Sequence, residues 1–514
     1  MGDTSVRVGP DPLSFEQVVA VARDGAAVSL TDEALKLIGE SRAHIEELSS
    51  RPLPVYGVST GFGALATRHI PPEMRAQLQL NIVRSHAAGS GAEVEREVVR
   101  ALMLLRLHTL ATGRTGVQPV TARTLAALLN AGITPQVFEH GSLGCSGDLA
   151  PLAHVALALI GEGRVRDAAG ELRPAADVLA EHGIAPVMLG AKEGLALLNG
   201  TDGMLGMLVL AIRDLGKLLT AADVAAAMSV EALLGTDRVF AADLQALRPH
   251  PGQAASAANL RALLAASEIM ESHRGPDCTR VQDAYSLRCS PQVNGAARDT
   301  LAHAELVAGR ELASAVDNPV VLPDGRVESN GNFHGAPIAY VLDFLAIPTA
   351  DVASMSERRT DRMLDKGRSS GLPAFLADDP GVDSGHMIAQ YTQAAIVSEL
   401  KRLAAPASAD SIPSSAMQED HVSMGWNSAR KLRRAVDGLT QVIAIEILTA
   451  ARALDLRSPL RPGPATAAVV AKLREAVPPP GPDRYLAPEI AAATALLRDG
   501  SLVAAAESVT GPLS

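Results

Sequence analysis

Between Trp426 and Leu456 the apolar residues Leu432, Val436, Leu439, Ile443, Ile447, Ala450 and Leu454 recur at three- and four-residue spacing. That spacing gathers them on one stripe of a single helix, and a helix of about 30 residues spans roughly 45 Å. A stripe of that length is buried only by other long helices laid alongside it. Partners are available: similar periodic runs lie near 97–112, 121–131, 203–219, 221–234, 256–272, 296–315, 336–365 and 383–405, several of them closed by Gly or Pro. Apolar residues make up 47% of the chain, yet only one Trp, five Tyr and seven Phe are among them, so Ala, Leu, Val, Ile and Met must fill the interior. Small side chains suit helices packed at close range. The expected fold is mainly α, a large central bundle of long helices with few short strands. The best strand candidate is 164–175 (RVRDAAGELRPA), read as a surface hairpin.

At 514 residues the chain is long enough for about three core-sized units or one large one. Pro and Gly cluster at 248–252, 367–381 and 461–483, which mark the softest boundaries. We expect an N-terminal region over 1–225, a central long-helix bundle over 226–457 and a C-terminal helical segment over 458–514. A net charge of −11 argues against nucleic acid or a polybasic membrane surface as partner. The N-terminus has neither a basic nor an apolar targeting region, and stretches such as 204–212 and 442–448 are shorter than a bilayer requires. These features predict a soluble, cytoplasmic protein. Cys145, Cys278 and Cys289 are too few for a disulfide scaffold, and without HExxH or C-x-x-C spacing the scattered histidines predict no metal site.

The stretch with the most unusual chemistry is 141–154, GSLGCSGDLAPLAH, where Gly144, Cys145, Ser146 and Gly147 precede a helical pattern. Three readings are open. Ser146 or Asp148 could cap the helix that starts near Leu149. Cys145 or Ser146 could be a nucleophile served by His154, although Asp148 stands where a G-x-S-x-G elbow needs its last Gly. Or the backbone itself reacts: in a tight enough turn the Gly147 nitrogen reaches the Cys145 carbonyl carbon, and loss of two waters leaves a methylidene-imidazolone, an electrophile that no ordinary side chain supplies.

This segment resembles the signature of the aromatic amino acid ammonia-lyases, whose Xaa-Ser-Gly segment cyclises to methylidene-imidazolone (MIO). The resemblance extends through VYGVSTGFG (55–63), RSHAAGSG (84–91), KEGLALLNGTDG (192–203), RVQDAYSLRCSPQ (280–292), SAVDNPVV (314–321), SNGNFHGAP (329–337) and MQEDHVSMGW (417–426). It is strongest toward the histidine-specific, actinobacterial-type branch. It implies an ammonia-lyase/fumarase-like helical fold, an MIO formed autocatalytically from Cys145, Ser146 and Gly147 with no external cofactor, and a homotetramer with shared active sites. The implied activity is non-oxidative deamination of L-histidine to trans-urocanate and ammonia. The alternative is an aminomutase, or an ammonia-lyase acting on another aromatic amino acid. A Cys/Ser hydrolase and a purely structural helical assembly are further rivals.

Residue by residue, the resemblance makes Tyr56 a lid tyrosine and the base for the substrate's β-proton. Arg288 becomes the clamp on the substrate carboxylate, a planar bidentate task that Lys does poorly. Gln282, Tyr285 and Arg288 are spaced by three, which places them together if the segment is helical. Gln282 and Tyr285 would add polar contacts, Asn199 would hydrogen-bond near the electrophile and carboxylate, and Phe333 and Gln418 would line the site. Ser85-His86 is similar to the histidine-specific form. Glu419 points the same way, because a carboxylate pairs with an imidazole or an amine and is costly beside a phenyl ring. The departures are Cys145, where most relatives have Ala, and Asn294 and His386, polar where small or apolar side chains are expected.

Overall fold

The computed structural model describes residues 5–50, 55–57, 59–61, 63, 67–275, 278 and 281–514. In chain order its helices are α1 (Phe15–Ala22), α2 (Asp32–Ser50), α3 (Arg75–His86), α4 (Arg96–Ala111), α5 (Pro119–Asn130), α6 (Leu149–Leu159), α7 (Ala175–Glu181), α8 (Glu193–Ala196), α9 (Asp202–Ala232) and α10 (Ala242–Ala246). They continue as α11 (Pro251–Leu263), α12 (Glu268–Glu271), α13 (Tyr285–Arg288), α14 (Ser290–Leu312), α15 (Ala336–Leu364), α16 (Met387–Leu403), α17 (Gly425–Asp455), α18 (Pro464–Arg474), α19 (Ala487–Arg498) and α20 (Ser501–Thr510). The strands among the described residues are two to four residues long. β1 (Val6–Val8) pairs in parallel with β2 (Val28–Leu30), and β3 (Ser90–Glu93) runs antiparallel to β5 (Phe138–His140). β4 (Thr134–Pro135), β6 (Arg164–Arg166) and β7 (Leu172–Pro174) form a three-stranded sheet, and β8 (Val320–Val321) pairs with β9 (Val327–Glu328). The hairpin expected at 164–175 is β6 and β7, antiparallel with Val165 opposite Arg173.

The chain forms two compact units, one from Met1–Leu210, Glu305–Asp343 and Pro406–Arg430, the other from Ala211–Ala304, Phe344–Ala405 and Lys431–Ser514. In the first unit α4 is buried along nearly its whole length. Two arginines on it are fully buried: Arg100 donates to the carbonyls of Val21 (2.8 Å) and Leu129 (3.0 Å), and Arg106 pairs with Asp202.

The second unit is the long-helix bundle. The α17 stripe is its spine, with Leu432, Leu439, Ile443, Ile447 and Ala450 all fully buried. Polar pairs pin neighbouring helices to it: Arg359 of α15 donates to Glu446 (2.8 Å), which also accepts from Ser229 of α9 (2.6 Å). Gln393 of α16 donates to the Val442 carbonyl at 2.8 Å. Asp223 of α9 accepts from Ser256, Asn259, Asn294 and Arg298, which ties α9 to α11 and α14. Burial without exposure makes each of these groups depend on its partner. Among the described residues one helix, α15, is long and apolar enough to cross a bilayer, and 61% of its apolar window is buried in the fold.

Candidate functional site

The 144–147 segment of the first unit is a tight reversal. Gly144 and Gly147 pair as an antiparallel bridge, with Cys145 and Ser146 at the corner between them. Three of the four residues adopt left-handed backbone: Gly144 at φ 73°, Ser146 at 50° and Gly147 at 82°. Glycine at 147 is a steric necessity too, since a Cβ there would run into the Gly200 carbonyl oxygen. Gly200 also holds the turn from outside: its N–H donates to the Ser146 carbonyl (3.2 Å), and its carbonyl accepts from Asp148 N–H (2.7 Å). On the opposite flank Met424 N–H donates to the Leu143 carbonyl at 2.9 Å. A non-glycine residue in left-handed backbone costs about 1–3 kcal/mol and persists only where its surroundings over-determine it.

The capping reading of this segment is corrected. Asp148 occupies the position before α6 but makes no side-chain cap there. Its carboxylate turns to the first turn of α9, accepting from Gly203 N–H (3.0 Å) and Met204 N–H (2.9 Å), and also from Ser142 Oγ (3.0 Å). Free amides at a helix start are what a carboxylate caps. Even so, burial dominates and pushes the Asp148 carboxyl up to about 7.

The nucleophile reading fails on geometry. His154 Nε2 accepts a hydrogen bond from Gly89 N–H at 3.1 Å, and its ring packs edge-on against Phe138. Burial, reinforced by the Glu419 carboxylate that hydrogen-bonds it, pushes the Cys145 thiol up to about 12. A thiol held that high is no thiolate at neutral pH.

Glu419 therefore stands at the turn. It accepts from Ser414 Oγ at 3.1 Å and pairs with Ser414 through both backbone groups. His86 is the last residue of α3, with its Nδ1 3.1 Å from Ser85 Oγ. Burial lowers its pKa, while the Ile82 carbonyl and the charge of Glu419 act in the opposite sense. The imidazole and the carboxylate expected to act together are thus close enough to influence each other. Asn199 is buried one residue before Gly200, with Nδ2 donating to the Asn318 carbonyl at 2.8 Å. It lies beyond the end of α8, not within a helix. Tyr56 is half-buried, its hydroxyl accepting from Gly63 N–H at 3.3 Å. Of the expected lid, residues 51–54, 58, 62 and 64–66 lie outside the described residues. Phe333 is half-buried in the turn before α15, and Gln418 is exposed on the Ser414–Glu419 loop.

Gln282, Tyr285 and Arg288 belong to the second unit. Tyr285 and Arg288 share α13 as expected, with the guanidinium carbon 4.6 Å from the ring centre. Arg288 Nε is buried without a hydrogen-bond partner among the described residues. Gln282 is not on that helix: it lies in the irregular segment before it, and Arg280 of the same motif is outside the described residues. Asn294 and His386 are accounted for inside this unit. Asn294 donates to Asp223 at 2.8 Å, and His386 Nδ1 lies 3.2 Å from Thr449 Oγ1. All three cysteines are free, and among the described residues no three His, Cys, Asp or Glu side chains cluster as a metal site. Unforeseen as functional is a buried ionic group beneath Asn199, made by Lys192 with Asp317 and by Arg106 with Asp202. Its one signal in the sequence is a lysine two residues ahead of the apolar run GLALL.

Residues 13–475 match the family model described as aromatic amino acid lyase. The histidine ammonia-lyase of Streptomyces avermitilis is 68% identical over 511 residues, covering 99% of this chain and 100% of that protein. Among solved structures, the tyrosine aminomutase from Streptomyces globisporus superposes with a TM-score of 0.93 at 39% identity, over 99% of this chain and 100% of that one. The histidine ammonia-lyase from Trypanosoma cruzi does so with a TM-score of 0.90, also at 39% identity, over 98% of this chain and 96% of that one. By sequence along nearly its whole length and by fold, this chain belongs to the aromatic amino acid lyase family.

Proposed function

We propose that the protein deaminates L-histidine to trans-urocanate and ammonia, at a site whose electrophile is an MIO made from Cys145, Ser146 and Gly147. The observation that carries this reading is the Gly144–Gly147 reversal with His86 and Glu419 beside it. The residues present fit the group. The turn is tight, position 147 admits only glycine, and Ser146 is held in left-handed backbone at its corner. Once formed, the ring supplies an electrophilic methylidene carbon derived from the Ser146 side chain, which makes the amine a better leaving group.

The chain's own residues do the rest. Arg288 binds the substrate carboxylate through its planar guanidinium, helped by Gln282 and Tyr285. His86 and Glu419 hold the imidazole, which selects histidine over a phenyl substrate. Asn199 hydrogen-bonds near the electrophile and carboxylate, while Phe333 and Gln418 line the site. Tyr56 Oη accepts the β-proton; the C–H electron pair becomes the new double bond as the C–N pair departs with ammonia. The exposed stripe Tyr340, Phe344 and Ile347 on α15 supports assembly into a homotetramer, in which sites combine residues of several subunits.

A second reading, an aminomutase, is favoured by the likeness to the Streptomyces globisporus enzyme. Both readings are tested by incubating the purified protein with L-histidine and analysing products and intact mass together. Urocanate without a β-amino acid, from a chain lighter than its sequence mass by two waters, is the expected result. A β-amino acid would favour the aminomutase, and full turnover by Ser146→Ala would overturn the MIO.

A further inference from the structure

Lys192 is fully buried in left-handed backbone at φ 70°, just ahead of α8. Its Nζ donates to the Thr115 carbonyl at 2.8 Å and pairs with Oδ2 of Asp317, itself fully buried. An apolar pair of similar volume would serve packing as well or better than a buried ion pair, so its presence calls for another reason. That reason is visible at the second carboxylate oxygen. Asp317 Oδ1 accepts from Asn318 N–H (2.7 Å) and from Asn199 Nδ2 (3.4 Å). Asn199 Nδ2 is thus surrounded by three acceptor oxygens, those of Asp317, Asn318 (2.8 Å) and Leu195 (3.4 Å). A flipped amide would aim oxygen at oxygen, so the orientation is determined.

The same short segment reaches two more parts of the site. Asn318 Oδ1 accepts from Ser329 Oγ (3.0 Å) and Asn330 N–H (3.1 Å), and Asn330 Nδ2 donates to the Asp317 carbonyl (3.0 Å), anchoring the turn that carries Phe333. Pro319 packs on Gly57, where a Cβ would stand 3.2 Å from its Cδ and 2.7 Å from Leu195 Cδ2. Gly57 adjoins Tyr56.

We propose that Lys192 and Asp317 are positioning residues: the ion pair aims one carboxylate oxygen at the Asn199 amide and fixes segment 317–319 as the common anchor of Asn199, the Phe333 turn and the base of the Tyr56 loop. This rests on the functional reading above for what those residues do, but the anchoring itself is a matter of hydrogen bonds.

Two double variants separate positioning from mere stability. Lys192→Gln with Asp317→Asn removes both charges but keeps an acceptor for Asn199; Lys192→Met with Asp317→Leu removes both charges and the acceptor. For the full-length protein the expected result is that the amide pair holds kcat within about threefold, whereas the apolar pair loses about tenfold or more in kcat with the ring formed and Tm maintained. In an Asn199→Ala background the apolar pair should cost less than it does in the wild type, because part of its effect runs through that residue. Equal kcat in both double variants, or an undiminished loss in the Asn199→Ala background, would overturn the proposal. Crystal structures of the two variants give a readout that needs no turnover: Asn199 stays on the Asn318 carbonyl in the amide pair and leaves it in the apolar pair. If the apolar pair fails to fold, Lys192→Met with Asp317→Ala takes its place: departure of Asn199 from the Asn318 carbonyl supports the proposal and retention refutes it. Wild-type protein that makes no urocanate would count against the functional reading, while the crystallographic contrast would still test the anchor.

Discussion

Cys145 and Gly147 are neighbours of one turn with opposite demands. The Cys145 side chain would only decorate the ring, so Cys145→Ala is expected to keep most of the activity, measured as urocanate release. Gly147→Ala is expected to abolish it, because the new methyl collides with the Gly200 carbonyl; intact mass should show the unclosed chain. The turn and the His86–Glu419 pair were legible because a contiguous motif carries the one, and a histidine and an acid of rare context carry the other. The Lys192–Asp317 anchor was not, since its members lie 125 residues apart and a charged residue in sequence reads first as surface. What His154 does was hidden for a related reason: its partner is a backbone N–H, Gly89, which no side-chain motif announces.

The long runs were read closely from the sequence: the one predicted from Trp426 to Leu456 is α17, Gly425–Asp455, and that near 97–112 is α4. Where one helix ends and the next begins was less legible. The runs at 203–219 and 221–234 are one helix, α9, buried along most of both faces. The run at 256–272 is two helices, because Ala266 turns left-handed at φ 58° and Ser267 then caps α12 through Met270 N–H. Helices α1 to α3 escaped a search for apolar stripes. The inward face of α3 includes Arg75 and Gln79, whose polar ends bond backbone groups, and that of α2 includes Ser41. The fully buried Leu439 offers a test of the α17 spine. Leu439→Ala is expected to destabilise the fold by about 2–5 kcal/mol, seen as a lower midpoint in denaturant.

For the molecule as a whole, two buried groups pull acid stability in opposite directions. Burial, aided by the charges of Arg452, Arg484 and Arg474, holds His386 down at about 3. Between its ordinary 6.5 and that value the unfolded chain binds a proton that the folded chain refuses, so stability falls as pH falls, by up to about 1.4 kcal/mol per unit. Asp148, raised from 3.8 to about 7, contributes stability that is complete below 3.8 and is lost as pH rises toward 7. The two partly cancel in the wild type. His386→Gln should therefore gain thermal stability relative to the wild type on going from pH 7.5 to pH 5, as judged by the difference in Tm at each pH. Oligomeric assembly is tested on the α15 stripe: Phe344→Asp should shift the protein to a smaller species in light scattering after gel filtration.

The first unit takes its last stretch from Pro406–Arg430, and within it Met424 clasps Leu143 beside the 144–147 turn. On a ribosome, a loop made early therefore waits for a segment made late. For the proposed ring this gives an expectation: a nascent chain stalled before residue 424 should carry the three residues linear, and closure should begin only once the clasp has left the exit tunnel.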